Sequence, residues 1–94
     1  MELTKEERHQ IYKGGLKNMK YYIKKGIRVG MCHSVERSMK ELGFYTFDYD
    51  TMLLSLPELL KYKTERESCY WFPLNEEGNK KRIEVLTKCI EETK

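Results

Sequence analysis

Apolar side chains recur at Tyr12, Leu16, Met19 and Ile23, at spacings of four, three and four, which places them along one face of a helix. The residues ahead of them supply a start. Thr4-Lys5-Glu6-Glu7 reads as a capping box, with the Thr4 hydroxyl accepting from the Glu7 amide and the Glu7 side chain reaching back. Gly26 supplies the stop, behind Lys24 and Lys25, which suit the negative end of the helix dipole. Gly14-Gly15 lies inside this helix. Two glycines cost about 2 kcal/mol of helix propensity there. The pair therefore implies either a bend or the close approach of another backbone or a ligand.

A second helix is expected from Gly30 or Met31, with Cys32, Val35, Met39 and Leu42 inside and Gly43 as its stop. Phe44 to Asp50 alternates aromatic and polar residues, the pattern of a short strand or an extended connection. Asp50 suits the cap of a turn over Thr51 to Leu54. Ser55-Leu56-Pro57-Glu58 reads as a second capping box, opening a third helix that runs to about Lys63. Thr64 to Ser68 is a polar loop, and Cys69 to Pro73 a short extended apolar segment. Asn75 caps a last helix reaching almost to Lys94. Its inner face is Ile83, Leu86, Cys89 and Ile90, with Glu77–Lys81 and Glu84–Lys88 as outer pairs.

No stripe is wide enough for its helix to stand alone, so the helices must pack on one another, with the aromatic segments filling the seam. The expectation is mainly α: a single small compact domain, residues 1–94, of three to four helices, with a minor two-stranded element left open. A chain of this size buries roughly 60–65% of its unfolded surface. That margin is thin, and a homo-oligomer would widen it.

Composition sharpens this in three ways. Charged residues make up 35% of the chain, but 11 aromatic residues indicate a packed core rather than disorder. The longest mainly apolar run, Met52 to Leu60, is too short for a bilayer. The polar, acid-bearing start is unlike a signal peptide, so a cytoplasmic, membrane-free protein is expected. Cys32, Cys69 and Cys89 are an odd set with no close pair, which reads as reduced thiols.

Arg28 to Ser38 (RVGMCHSVERS) gathers the most reactive residue types. As a phosphatase-like thiol site it fails, because only four residues separate Cys32 from Arg37 and the loop needs five. Neighbouring Cys32 and His33 point about 100° apart on a helix. Zinc favours pairs such as C-x2-C or H-x3-H, and none is present. What remains is an anion site at a helix start. Gly30 would permit backbone approach, and Arg28, His33, Ser34 and Arg37 would be donors, against the plainer reading of an ordinary helix start.

Lys13, Lys17, Lys20 and Lys24 form a stripe one residue behind the apolar one, with no acid inside it. It reads either as a solvated flank or as a phosphate-facing basic surface. Tyr70-Trp71-Phe72 exceeds what one side of an extended segment buries. Tyr70 or Trp71 would then be offered to a base or a partner, near Lys80 and Arg82. Asp48 and Asp50 read better as caps than as an acid–base pair. There is no Walker loop, dinucleotide glycine pattern or serine elbow, so neither an enzyme nor a cofactor is expected.

The segments Leu56–Lys63 (LPELLKYK), Trp71–Leu74 (WFPL) and Gly78–Ile83 (GNKKRI), with Met31-Cys32 at a helix start, resemble a group of small uncharacterised open reading frames of bacteriophages and prophages. The resemblance covers roughly residues 30 to 92 and brings no catalytic residue with it. It implies a small protein acting against host defence by binding. The leading expectation is a sponge for a nucleotide-derived signal. The alternatives are an inhibitor of a host protein and a small nucleic-acid-binding protein.

Overall fold

The computed structural model describes residues 2–44, 48–63 and 70–94. They form five helices, α1 (Lys5–Lys24), α2 (Met31–Glu41), α3 (Tyr49–Leu54), α4 (Pro57–Leu60) and α5 (Glu76–Glu92). The described residues contain no strand, and residues 45–47 of the candidate extended segment lie outside them. The expected loop Thr64 to Ser68, and Cys69 after it, also lie outside. No described helix is long and apolar enough to cross a membrane.

Helix α1 stands between α2 and α5 and runs antiparallel to both. Towards α2, Ser38 Oγ donates to the Ile11 carbonyl at 2.7 Å, and Tyr22 Oη lies 3.3 Å from His33 Nε2. Towards α5, His9 Nδ1 lies 3.0 Å from Thr93 Oγ1, and Gly15 meets Leu86. The short helices close the end where α1 begins. There Glu58 takes two hydrogen bonds from Arg8, at 2.9 and 3.2 Å, and one from Tyr12 Oη at 2.9 Å. Lys61 and Tyr62 both reach Glu92. The shared core includes Ile11, Tyr12, Met19, Met31, Val35, Met39, Leu56, Leu59, Trp71, Leu86 and Cys89.

The glycine pair answers to close approach. A Cβ on Gly14 would stand 2.2 Å from Ser38 Oγ, while one on Gly15 would meet Leu86 and Val35 at 3.5 Å. Because α2 comes in against this pair, the buried face of α1 centres on Gly15: Ile11, Tyr12, Gly15, Asn18, Met19 and Tyr22. Leu16 and Ile23, expected inside, are only partly buried at its edge. The same displacement affects α2, where Ser34 and Ser38 are buried and Leu42, expected inside, is exposed.

The Thr4 capping box forms as expected, and Asn75 caps α5 through the Gly78 amide at 2.8 Å. The second box does not form. Ser55 Oγ donates instead to the Met52 carbonyl, and Leu56 is the cap residue of α4. Glu58 is drawn away by Arg8 and Tyr12, and the Tyr12 hydroxyl accepts from the Leu59 amide at 3.3 Å, serving one of the helix's free donors. The helix ends at Leu60 rather than Lys63, and Asp48 rather than Asp50 caps α3. Of the two outer pairs on α5, Glu84–Lys88 closes at 3.1 Å, whereas the Lys81 amine sits over the Phe72 ring instead of on Glu77.

Candidate binding surface

The start of α2 is less available to an anion than its sequence implies. Gly30 caps it without any side-chain hydrogen bond and is buried. Ser34 is fully buried, with its hydroxyl donating to the Met31 carbonyl at 2.9 Å. Neither faces a ligand, because the crossing with α1 at Gly15 and Asn18 covers that side of α2. Arg28 and His33 are exposed, as is Arg37.

His33 and Arg37 are brought together by a residue the sequence pattern did not single out. Arg37 Nη1 donates to Tyr22 Oη at 2.7 Å, and its guanidinium lies 5.5 Å from the Tyr22 ring centre and 5.9 Å from that of Tyr21. The hydrogen bond from Arg37 to Tyr22 holds the guanidinium above its ordinary pKa. A cleft of about 250 Å³ opens here between Tyr22, His33, Glu36, Arg37 and Lys40. Its cations are partly matched already. Lys40 pairs with Glu36 at 2.8 Å and Arg37 approaches Glu41 at 3.9 Å.

The second expected cluster, at the start of α5, is divided between surface and core. Tyr70 and Lys80 are exposed. Trp71 is 3% exposed and Arg82 is fully buried, so neither is offered to a ligand. The cause is local. Trp71, whose φ of 70° lies in the left-handed region, packs its indole into the core while Tyr70 stays out. Arg82 then spends its donors on the carbonyls of Tyr70 at 3.1 Å, Pro73 at 2.7 Å and Phe72, and on Asn79 Oδ1 at 2.9 Å. Burial pushes its pKa down. Pro73 packs so closely on α5 that a Cβ on Gly78 would stand 1.7 Å from its carbonyl oxygen.

Two of the three thiols lie among the described residues, and Cys69 lies outside them. Cys32 and Cys89 are buried, and burial pushes the Cys89 thiol up to about 12. Among the described residues no three His, Cys, Asp or Glu side chains converge on a point where a metal ion would sit.

The lysine stripe remains. Lys13, Lys17, Lys20 and Lys24 are all exposed, and among the described residues none has a carboxylate within 4.0 Å. At 1.5 Å per residue they extend about 16 Å along α1. Between Glu7 and Glu36 the chain carries seven basic residues and no acid, and Glu41 of α2 is the one carboxylate that lines a hollow with Lys13 and Lys17 among the described residues. Lys13, Lys17 and Lys20 border two hollows. One of about 440 Å³ lies between α1 and α2 beside Gly14, Asn18 and Ser38. The other, of about 360 Å³, lies between α1 and α5 and is lined by Lys13, Leu16, Lys17, Lys20 and Ile90. Leu16 and Ile90, both expected inside, pack against the core and are only partly covered.

No family model, curated protein or solved structure matches the chain.

Proposed function

We propose that this chain is a non-enzymatic binding protein of phage type, which blocks a host component by engaging an acidic surface on it through the lysine face of α1. The observation that carries this reading is the unneutralised row Lys13, Lys17, Lys20 and Lys24. Charge of one sign on one face speeds encounter with an opposite surface and rejects like-charged ones. The apolar hollow beside the row favours a protein over a nucleic acid, because a phosphate backbone has no use for Leu16 and Ile90. The row is tested by titrating fluorescent poly-glutamate with the wild type and with a variant carrying Lys→Glu at all four positions. Salt-sensitive binding that the variant loses supports the reading. Equal binding by both proteins refutes it.

A second reading is the nucleotide sponge, favoured by the Tyr22–His33–Arg37 cleft with Tyr21 at its rim. The exposed Tyr21 ring and the Arg37 guanidinium there offer stacking and phosphate contacts, with the buried Tyr22 holding the guanidinium in place. Trp71, Ser34 and Arg82 have no part in it, and the Glu36 carboxylate in its wall opposes an anion. Calorimetry with cyclic and linear nucleotides decides the matter. Heat that Arg37→Ala abolishes would put the sponge ahead of the lysine face. The absence of heat and of any thermal shift removes it. Native mass spectrometry of fresh protein reports co-purified ligand and oligomer size together.

A further inference from the structure

Between α1 and α5 the molecule leaves an apolar seam only partly covered. Leu16 on α1 and Ile90 on α5 share the walls of the 360 Å³ hollow. Ile23 lies seven residues after Leu16, and Ile83 seven residues before Ile90; both are likewise partly buried against the core. The helices are antiparallel, so these two steps run in the same direction. Seven residues are two helical turns, so Ile23 and Ile83 fall on the same helix faces as Leu16 and Ile90, each about 10 Å further along its helix. Thr87 lies between Ile83 and Ile90, with its hydroxyl tied back to the Ile83 carbonyl at 2.7 Å, so no charge interrupts the α5 side at that point. Along the α1 side run Lys13, Lys17 and Lys20, the first three of the unpaired lysines.

We propose that this seam is a docking groove for an acidic amphipathic helix of a protein partner. A helix seated in it would place apolar side chains at i and i+7 against Leu16 and Ile90 and against Ile23 and Ile83. Asp or Glu at three- and four-residue spacing along one flank would face the lysines. Charge complementarity selects this occupant. The groove is apolar at its floor and carries only cations along its α1 rim, so a basic or neutral helix would leave those lysines against a low-dielectric contact without counter-charge. The proposal rests on the lysine-face reading above and adds the shape and pattern of the partner.

Two synthetic peptides of about 18 residues, long enough to hold helix, serve as probes. They share one composition of Leu, Glu and Ala. In the first the leucines follow i, i+3, i+7 with glutamates on one flank; in the second they are spread round the helix. The expected result is at least about tenfold tighter binding of the striped peptide, a difference of roughly 1.4 kcal/mol. Methyl NMR shifts should centre on Leu16, Ile23, Ile83 and Ile90. Ile90→Glu should remove the preference. Should that variant lose its helical circular dichroism, Leu16→Gln, at a partly exposed position, replaces it. Equal binding of both peptides, lost together on reversing the four lysines, overturns the groove while leaving the lysine face intact. Binding of neither peptide nor poly-glutamate overturns both. Two further outcomes also overturn the groove. One is preferential binding to phosphatidylserine vesicles. The other is a dimer that Leu16→Glu dissociates, since a second copy would then cover the seam.

Discussion

The Ser38 hydroxyl occupies the place that a side chain on Gly14 would take. A Cβ there would stand 2.2 Å from Ser38 Oγ and 3.1 Å from Ser38 Cβ. The hydroxyl cannot simply turn aside, because it donates to the Ile11 carbonyl at 2.7 Å in a buried crossing. This contact fixes how near α2 comes to α1, and with it which side of α1 is left to solvent.

The adjacent glycines should therefore respond oppositely to alanine. Gly14→Ala gains about 1 kcal/mol of helix propensity, but overpacking of 1–3 kcal/mol and loss of the Ser38 hydrogen bond, about 1 kcal/mol, outweigh it. A net destabilisation of about 1–3 kcal/mol is expected in urea unfolding. Gly15→Ala meets only ordinary contacts at 3.5 Å and should be neutral or stabilising by up to about 1 kcal/mol. Adding Ser38→Gly to Gly14→Ala should recover part of the loss, as a double-mutant cycle would register.

The contact between residues 70–73 and α5 should be intolerant. Gly78→Ala puts a Cβ 1.7 Å from a backbone oxygen, which cannot yield as a side chain can. Arg82→Met removes the donor to three carbonyls while keeping an apolar stem. Each should cost about 2–4 kcal/mol in chemical unfolding, from buried acceptors left unsatisfied or from displaced backbone. Trp71 fluorescence should report the indole moving into water. An unshifted emission maximum in both variants would contradict the packing described.

Acid should loosen the end of the bundle closed by α4. Burial pushes the Glu58 carboxyl up, but hydrogen bonds from Arg8 and Tyr12, together with the Arg8 charge, outweigh this and hold it below its ordinary value. A carboxyl depressed in the folded state stabilises fully above its unfolded pKa, and that stability is lost as pH falls through the folded value. Tm should therefore decline below about pH 4.5, near the unfolded pKa of a glutamate. Glu58→Gln should be less stable than wild type at pH 7, with a shallower acid decline. Parallel Tm profiles for the two proteins would contradict the assignment.

Cys89 should be inert in the native state. Its thiol is buried and pushed up to about 12, so almost no thiolate exists at pH 8. Alkylation at pH 8 with site-resolved mass spectrometry should leave Cys89 unmodified until denaturant is added. Rapid native labelling would show that α5 opens readily from α1.

Much of the helical frame was legible in the sequence because it is written locally. Thr4 with Glu7, Asn75, Gly26 and Gly43 mark helix ends through contacts within a few residues, and each stands where the pattern puts it. Contacts distant in sequence were not legible. Ser55 and Glu58 have capping-box spacing, yet Arg8 and Tyr12, more than 40 residues away, claim Glu58 first. Trp71 and Arg82 look like ligand contacts until the indole packs into the core and the carbonyls of Tyr70, Phe72 and Pro73 take up the guanidinium. The lysine row was visible as a period. Its bordering hollow was not, because its position depends on the Gly14–Ser38 crossing.

Lysine acetylation footprinting is the most direct test of the lysine face of α1. The protein is acetylated sparsely with and without a saturating acidic helical peptide, and each site is read by mass spectrometry. Binding through this face should protect Lys13, Lys17, Lys20 and Lys24 together and leave Lys40, Lys80 and Lys88 unchanged. Uniform protection, or protection centred on Lys80 and Lys88, would contradict it.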